Sequence, residues 1–210
     1  MRAIGPVAPR DTDATPFAAI LSDLLARVVG SYAAALVDSE GETVDYAGLG
    51  DPFDVRVAAA HLQLILQHVT RFGELGEPRW VVVRGARKSV AVAALPNGYA
   101  VALVLRPRAA FTISKRALTV CMRAISVEAG WTDAERGRAR EERSWFAVPV
   151  ETDRRGRPER IGVGRVPVEV LGAVMGLSVR ERGYRVRTQE GSELTLVREP
   201  HRRWYADEPV

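Results

Sequence analysis

Between Pro16 and Trp131 the hydrophobic pattern spells helix, strand, strand, helix, strand, strand, strand, helix, and this order constrains the fold more than any single residue does. It is the pattern of a small scaffold that pairs with another chain, with no catalytic centre in view. The first helix is expected from Pro16, with Thr15 as N-cap and proline at the first helical position, where a missing N–H costs nothing. Phe17, Ile20, Leu21, Leu24, Leu25 and Val28 recur at helical spacing and give it one buried side, and Gly30-Ser31 ends it.

Tyr32 to Val37 is too apolar for an exposed strand. The turn Asp38-Ser39-Glu40-Gly41 then leads into Thr43 to Ala47, a weakly alternating strand expected near a sheet edge. Pro52 lets a long helix begin near Asp54 and run to about Phe72. Its main stripe is Leu62, Ile65, Leu66, Val69 and Phe72, while Val57, Ala60 and Leu64 form a second apolar line, and a helix with two lines has two neighbours. Trp80 to Val83 is a continuous strand that turns at Gly85-Ala86-Arg87-Lys88. Ser89 to Leu95 returns, Pro96-Asn97-Gly98 makes a hairpin turn, and Tyr99 to Leu105 follows. The proline and glycine at its centre argue against reading Val90 to Leu105 as a membrane span. A last helix runs from Ser114 to Ala129 with Leu118, Cys121, Met122 and Ile125 on its apolar side.

The element order, the VDSEG turn after the first strand, the two-faced middle helix, the PNG hairpin and the closing helix together resemble the Roadblock (dynein light-chain type) family over residues 16–131. The resemblance implies an α+β fold: a five-stranded antiparallel sheet with the first and last helices on one face and the middle helix on the other. It implies pairing through the middle helix and third strand, a small Ras-like GTPase as partner, a bacterial and cytoplasmic setting, and in some members stimulation of GTP hydrolysis. A profilin-like small-ligand sensor is the alternative, and it requires a pocket between sheet and helix.

The residues themselves also point to self-association. Trp80, Val81, Val82 and Val83 carry no proline, lysine or inward charge to keep another strand from pairing with them. With Val57, His61, Leu64 and His68 on the middle helix they form the expected homodimer interface. His61 and His68 lie seven residues apart on one line, so protonation across a two-fold axis would set like charges together and weaken pairing as pH falls. Gln67, Arg71, Arg84 and Arg87 are the expected contacts to the GTPase partner.

The net charge of +4 does not indicate a nucleic-acid partner, because arginines alternate with acids along the chain. A hydrophobic content of 47% fits a globular chain without a membrane partner, the stretch Met1 to Ala14 reads as a flexible arm, and a lone Cys121 forms no intrachain disulfide. Lys88-Ser89 is not a phosphate-binding loop, since the positions that need glycine hold Arg87 and Val82. Gly162-Val163-Gly164 lacks a third glycine, because Pro167 stands there. No metal-ligand spacing, cofactor motif or catalytic triad emerges, and no enzyme is expected.

Thr132-Asp133-Ala134-Glu135 has the form of a capping box, so residues 132–143 read as a charged helical linker. Residues 144–210 then read as a small, mostly β module. Strands are expected at Trp145 to Val150, Ile161 to Val166, Tyr184 to Thr188, Ser192 to Val197 and Trp204-Tyr205, with a short helix from Val168 to Met175 after Pro167. The run from Arg187 to Glu199 faintly resembles a hairpin of metal-dependent aminopeptidases, without ligands at metal spacing around it.

Overall fold

A computed structural model describes residues 13–210 except 77, 79, 108, 110–112, 132–144, 176 and 178–179. The expected linker helix and nearly all of the N-terminal arm lie outside the described residues. The chain divides into two compact units, residues 1–138 and 139–210.

In the first unit α1 spans Pro16–Arg27, β1 Ser31–Val37, β2 Thr43–Gly48, α2 Pro52–Thr70, β3 Trp80–Arg84, β4 Ser89–Ala94, β5 Ala100–Leu105 and α3 Lys115–Glu128. Each helix starts where a side chain satisfies its first N–H groups. Thr15 accepts from Phe17, Asp51 from Phe53 and Asp54, and Ser114 from Ala117. The strands form one antiparallel sheet in the order β2-β1-β5-β4-β3, so the expected edges are the observed ones.

Strand alternation divides the core in two. Ala33, Ala35, Val37, Val92, Ala102 and Val104 face α2 and pack on Val55, Ala59, Leu62 and Leu66. Their neighbours Ala34, Leu36, Val101, Leu103 and Leu105 are also buried and point the other way. On that side α1 packs on β1, β2 and α3, through Leu21 and Leu24, with Leu118, Cys121 and Ile125 of α3 buried as well. Each fully buried leucine there contributes roughly 1.5–3 kcal/mol. Asp45, buried on β2, ties α1 to the sheet: Oδ2 accepts from Thr15 N at 2.9 Å and from its hydroxyl at 2.6 Å, while Oδ1 accepts from Tyr46 N. Gly48 follows at φ 110°, and a Cβ there would stand 2.5 Å from Tyr32 O, so the residue must be glycine.

Among its described residues the second unit contains strands only, apart from one short helical turn at Pro200–Arg202: β6 Phe146–Ala147, β7 Val150–Thr152, β8 Pro158–Ile161, β9 Val166–Val174, β10 Arg182–Thr188, β11 Glu193–Glu199 and β12 Arg203–Ala206. The strand order is β6-β12-β11-β10-β9-β8-β7. Only Val148 and Pro149 separate its two ends in sequence. Val148 N donates to Trp204 O on one side and Pro149 O accepts from Gly162 N on the other. One interrupted strand thereby closes the sheet into a barrel. Its interior is Val148, Ile161, Val186, Leu194, Leu196, Trp204 and Ala206, with Val150, Val166, Val168, Val170 and Tyr184 around them.

Three expectations fail in this unit, the first being a single strand from Trp145 to Val150, which is broken at Val148-Pro149 into β6 and β7. Val168 to Met175 is not a helix: Val166, Val168 and Val170 alternate with exposed Pro167, Glu169 and Leu171, and period two places them in β9. Nor is Ile161 to Val166 one extended piece. β8 ends at Ile161, and Gly162 at φ 74° and Arg165 at φ 52° make a turn before β9. The remaining hairpin and final strand stand as expected.

Candidate interaction surface

β3 has a neighbour on one side only, β4, with Val81 opposite Val92 and Val83 opposite Val90. Since Val90 and Val92 pack with the α2 layer, Val81 and Val83 lie on the α2 face, and Trp80, Val82 and Arg84 on the other. There the Lys115 ammonium stands 5.7 Å from the centre of the Trp80 ring. Val83 is exposed, and Trp80, Val81 and Val82 are half-buried.

The roll of α2 about its axis is set by two glutamines. Gln63 Nε2 donates to Gly98 O at 2.6 Å and Gln67 Nε2 to Ser39 O at 2.7 Å, holding one flank of the helix over the β1–β2 and β4–β5 turns. Val55, Ala59, Leu62 and Leu66 then face the sheet, and helical spacing leaves Val57, His61, Leu64 and His68 on the ridge away from it. All four are exposed, Leu64 at 48%. His68 Nδ1 lies 2.8 Å from Leu64 O, so donation from Nδ1 orients that ring.

Two members of the expected main stripe belong to this outer surface instead. Ile65 and Phe72 are exposed, because the buried line follows Leu62 and Leu66 and the helix presents Ile65 to the side. Leu75, just beyond the helix, is exposed as well. Its only sequence signal is an apolar residue between Gly73 and Gly76. Exposed apolar residues on α2 and an unpaired strand edge in the same unit are features that suit a protein neighbour.

The four residues expected at the partner surface fall into two groups. Gln67 and Arg71 lie toward the end of the sheet that holds Ser39 and Gly98, with one Gln67 amide proton already engaged. Arg84 and Arg87 lie at the opposite end, since Arg84 pairs with Ser89 and Ser89 with Leu105. Within one chain they do not form a single cluster.

The layer between α2 and the sheet is filled by buried side chains, from Ala33, Ala35 and Ala59 to Leu62, Leu66 and Tyr46. That is unlike the roomy, polar-edged pocket a small-ligand sensor needs. Cys121 is buried, and desolvation followed by the charge of Asp23 pushes its thiol up to about 12, so it stays protonated and unreactive. Among the described residues no cluster of His, Cys, Asp or Glu is placed to hold a metal, and no helix is long and apolar enough to cross a membrane.

No family model matches the chain, and no curated protein does. Solved structures similar to it include a Roadblock/LC7 domain from Streptomyces avermitilis, 20% identical, covering 54% of this chain and 97% of that one at a TM-score of 0.45. Myxococcus xanthus MglB is 14% identical over 58% of this chain and all of its own length, at a TM-score of 0.47. The gliding protein MglB of Thermus thermophilus is 16% identical over 60% of this chain and all of its own length, also at 0.47.

Proposed function

We propose that the first unit is a homodimeric docking scaffold for a small Ras-like GTPase, acting in the cytoplasm and carrying no catalytic centre of its own. The observation that supports this most is the unpaired β3 edge together with the exposed ridge Val57, His61, Leu64 and His68. The GTPase as partner comes from the family resemblance of residues 16–131.

A symmetric pair joined at β3 sets the two edge strands antiparallel. The Gln67–Arg71 end of one protomer then stands beside the Arg84–Arg87 turn of its partner. Residues scattered on one chain would thus gather into one surface only in the dimer. The chain would act by ordering the GTPase switch regions or by presenting one of Arg71, Arg84 and Arg87. An inserted arginine raises hydrolysis by about 10³ to 10⁵, so alanine at each in turn separates the two modes.

The test is recovery of partners from the source cell on immobilised protein, with GTP-loaded and GDP-loaded extracts compared. Preferential recovery of a small GTPase in one nucleotide state is expected. Equal recovery in both, or none, rejects the reading.

A further inference from the structure

The two ends of the barrel treat their arginines differently. At the end that carries the β10–β11 and β8–β9 turns, Arg187 Nη2 reaches Glu193 Oε1 at 2.7 Å, Arg185 shares Glu193 at 3.2 Å, and Arg165 meets Glu151 at 3.1 Å. At the other end Arg154, Arg155 and Arg157 stand exposed in the turn between β7 and β8. Arg182 and Arg198 are direct register partners across β10 and β11. Among the described residues none of these five is in an ion pair.

The five form one group. Arg198 Nη1 comes within 3.2 Å of the place a Cβ on Gly156 would occupy, and the Tyr184 hydroxyl donates to Gly156 O at 3.5 Å, which holds the turn against the barrel mouth. Strand alternation sets Arg182 and Arg198 on the inner face with Tyr184 and Leu196, so their guanidinium groups crown that mouth. Asp153, the acid in the turn, has Oδ1 engaged by the N–H groups of Arg155 and Arg157 at 2.7 and 2.8 Å. Like charges directly opposite in a sheet destabilise it. A barrel that pairs three arginines at one end and leaves five together at the other is charged for something outside itself.

We propose that this arginine mouth docks an acidic segment of a partner protein. Planar guanidinium groups suit carboxylates through paired, parallel hydrogen bonds. The sheet is closed and offers no strand edge here, so recognition rests on side-chain charge. A single-stranded nucleic acid fits less well, because it needs exposed rings for its bases. Trp204 is buried, Tyr184 is half-buried, and the two rings pack on each other at 5.9 Å between centres.

The experiment uses the full chain and fluorescence anisotropy with three labelled probes: an oligoglutamate peptide, an oligoglutamine peptide of equal length and a single-stranded oligothymidylate. Oligoglutamate should bind at low salt, oligoglutamine should not, and salt should weaken the complex. The exposed-turn double variant Arg154→Gln, Arg155→Gln and the single variant Arg182→Gln should each weaken binding about tenfold or more, with circular dichroism unchanged. Arg185→Gln, at the paired end, should stay within about twofold. Absence of oligoglutamate binding, equal weakening by Arg185→Gln, or tighter binding of oligothymidylate than of oligoglutamate would each overturn the proposal.

Discussion

The first unit leaves its sheet open at β3, whereas the second closes its sheet through the interrupted strand at Val148-Pro149. Both sheets are antiparallel, the first of valine- and alanine-rich strands and the second of strands that also carry arginine and glutamate, so the difference in closure does not lie in strand direction. It lies in what covers the last hydrogen-bonding edge. Three helices cover the faces of the first sheet and, among the described residues, none shields its β3 edge, while the barrel uses its own first strand to cap its last. An open edge needs a partner for its backbone groups, and a closed barrel is free to use side chains for recognition.

The largest effect is expected from opening the barrel core. Trp204→Ala removes a buried indole from the ring of Val148, Leu196 and Tyr184 and should cost the second unit about 3–5 kcal/mol. Denaturant unfolding should then show an earlier transition for that unit, with self-association of the chain unchanged; a loss of association would tie the two units together. Next is Asp45→Ala, which strands Thr15 and Tyr46 donors beside a buried site and should cost the first unit about 2–3 kcal/mol. Thermal unfolding read by tryptophan fluorescence measures it, and a change under about 0.5 kcal/mol would show that the α1 tie is dispensable.

Val82→Pro addresses the open edge itself. It should raise the dimer dissociation constant at least about tenfold, read by sedimentation at micromolar concentration, because proline removes a ladder donor. A monomeric unmutated protein under those conditions would remove the basis for pairing at β3. The smallest effect belongs to the paired end of the barrel. The hydrogen bond from Arg187, foremost among the causes, holds the Glu193 carboxyl below its usual value. Its contribution is therefore present above the ordinary carboxylate pKa and is lost as pH falls through the lowered one. Amide exchange of the β10–β11 hairpin should quicken in that acid range, and Glu193→Gln should abolish the pH step.

The first unit is legible in sequence because each turn carries its own chemistry. Asp38 accepts at Oδ1 from the N–H groups of Glu40 and Glu42, and Asn97 and Gly98 take the positive φ their hairpin requires. The second unit is less so. Pro167 reads equally as the first residue of a helix or as an early residue of a strand, and pairing with β8 and β10 decides for β9. For the surface, the apolar residues of α2 are plain in sequence but its roll is not. That roll depends on Gln63 and Gln67 reaching carbonyls 35 and 28 residues away, which places Ile65 and Phe72 outside rather than in the core.

The interrupted strand also fixes an order of events during synthesis. Phe146 pairs with Ala206, so closure of the barrel joins residues 60 positions apart, while every partner in the first unit's sheet lies at or before Leu105. Ser31 of β1 pairs with Leu105 of β5 across a comparable stretch, so position along the chain and not span sets the order. On the ribosome the first unit can fold while the second is still being made, and the strand Phe146–Thr152 must wait for Arg203–Ala206 to emerge before the barrel is sealed. During that interval the only finished sheet in the chain is the one with an open edge, so two neighbouring nascent chains on a polysome would be able to pair before either has completed its barrel.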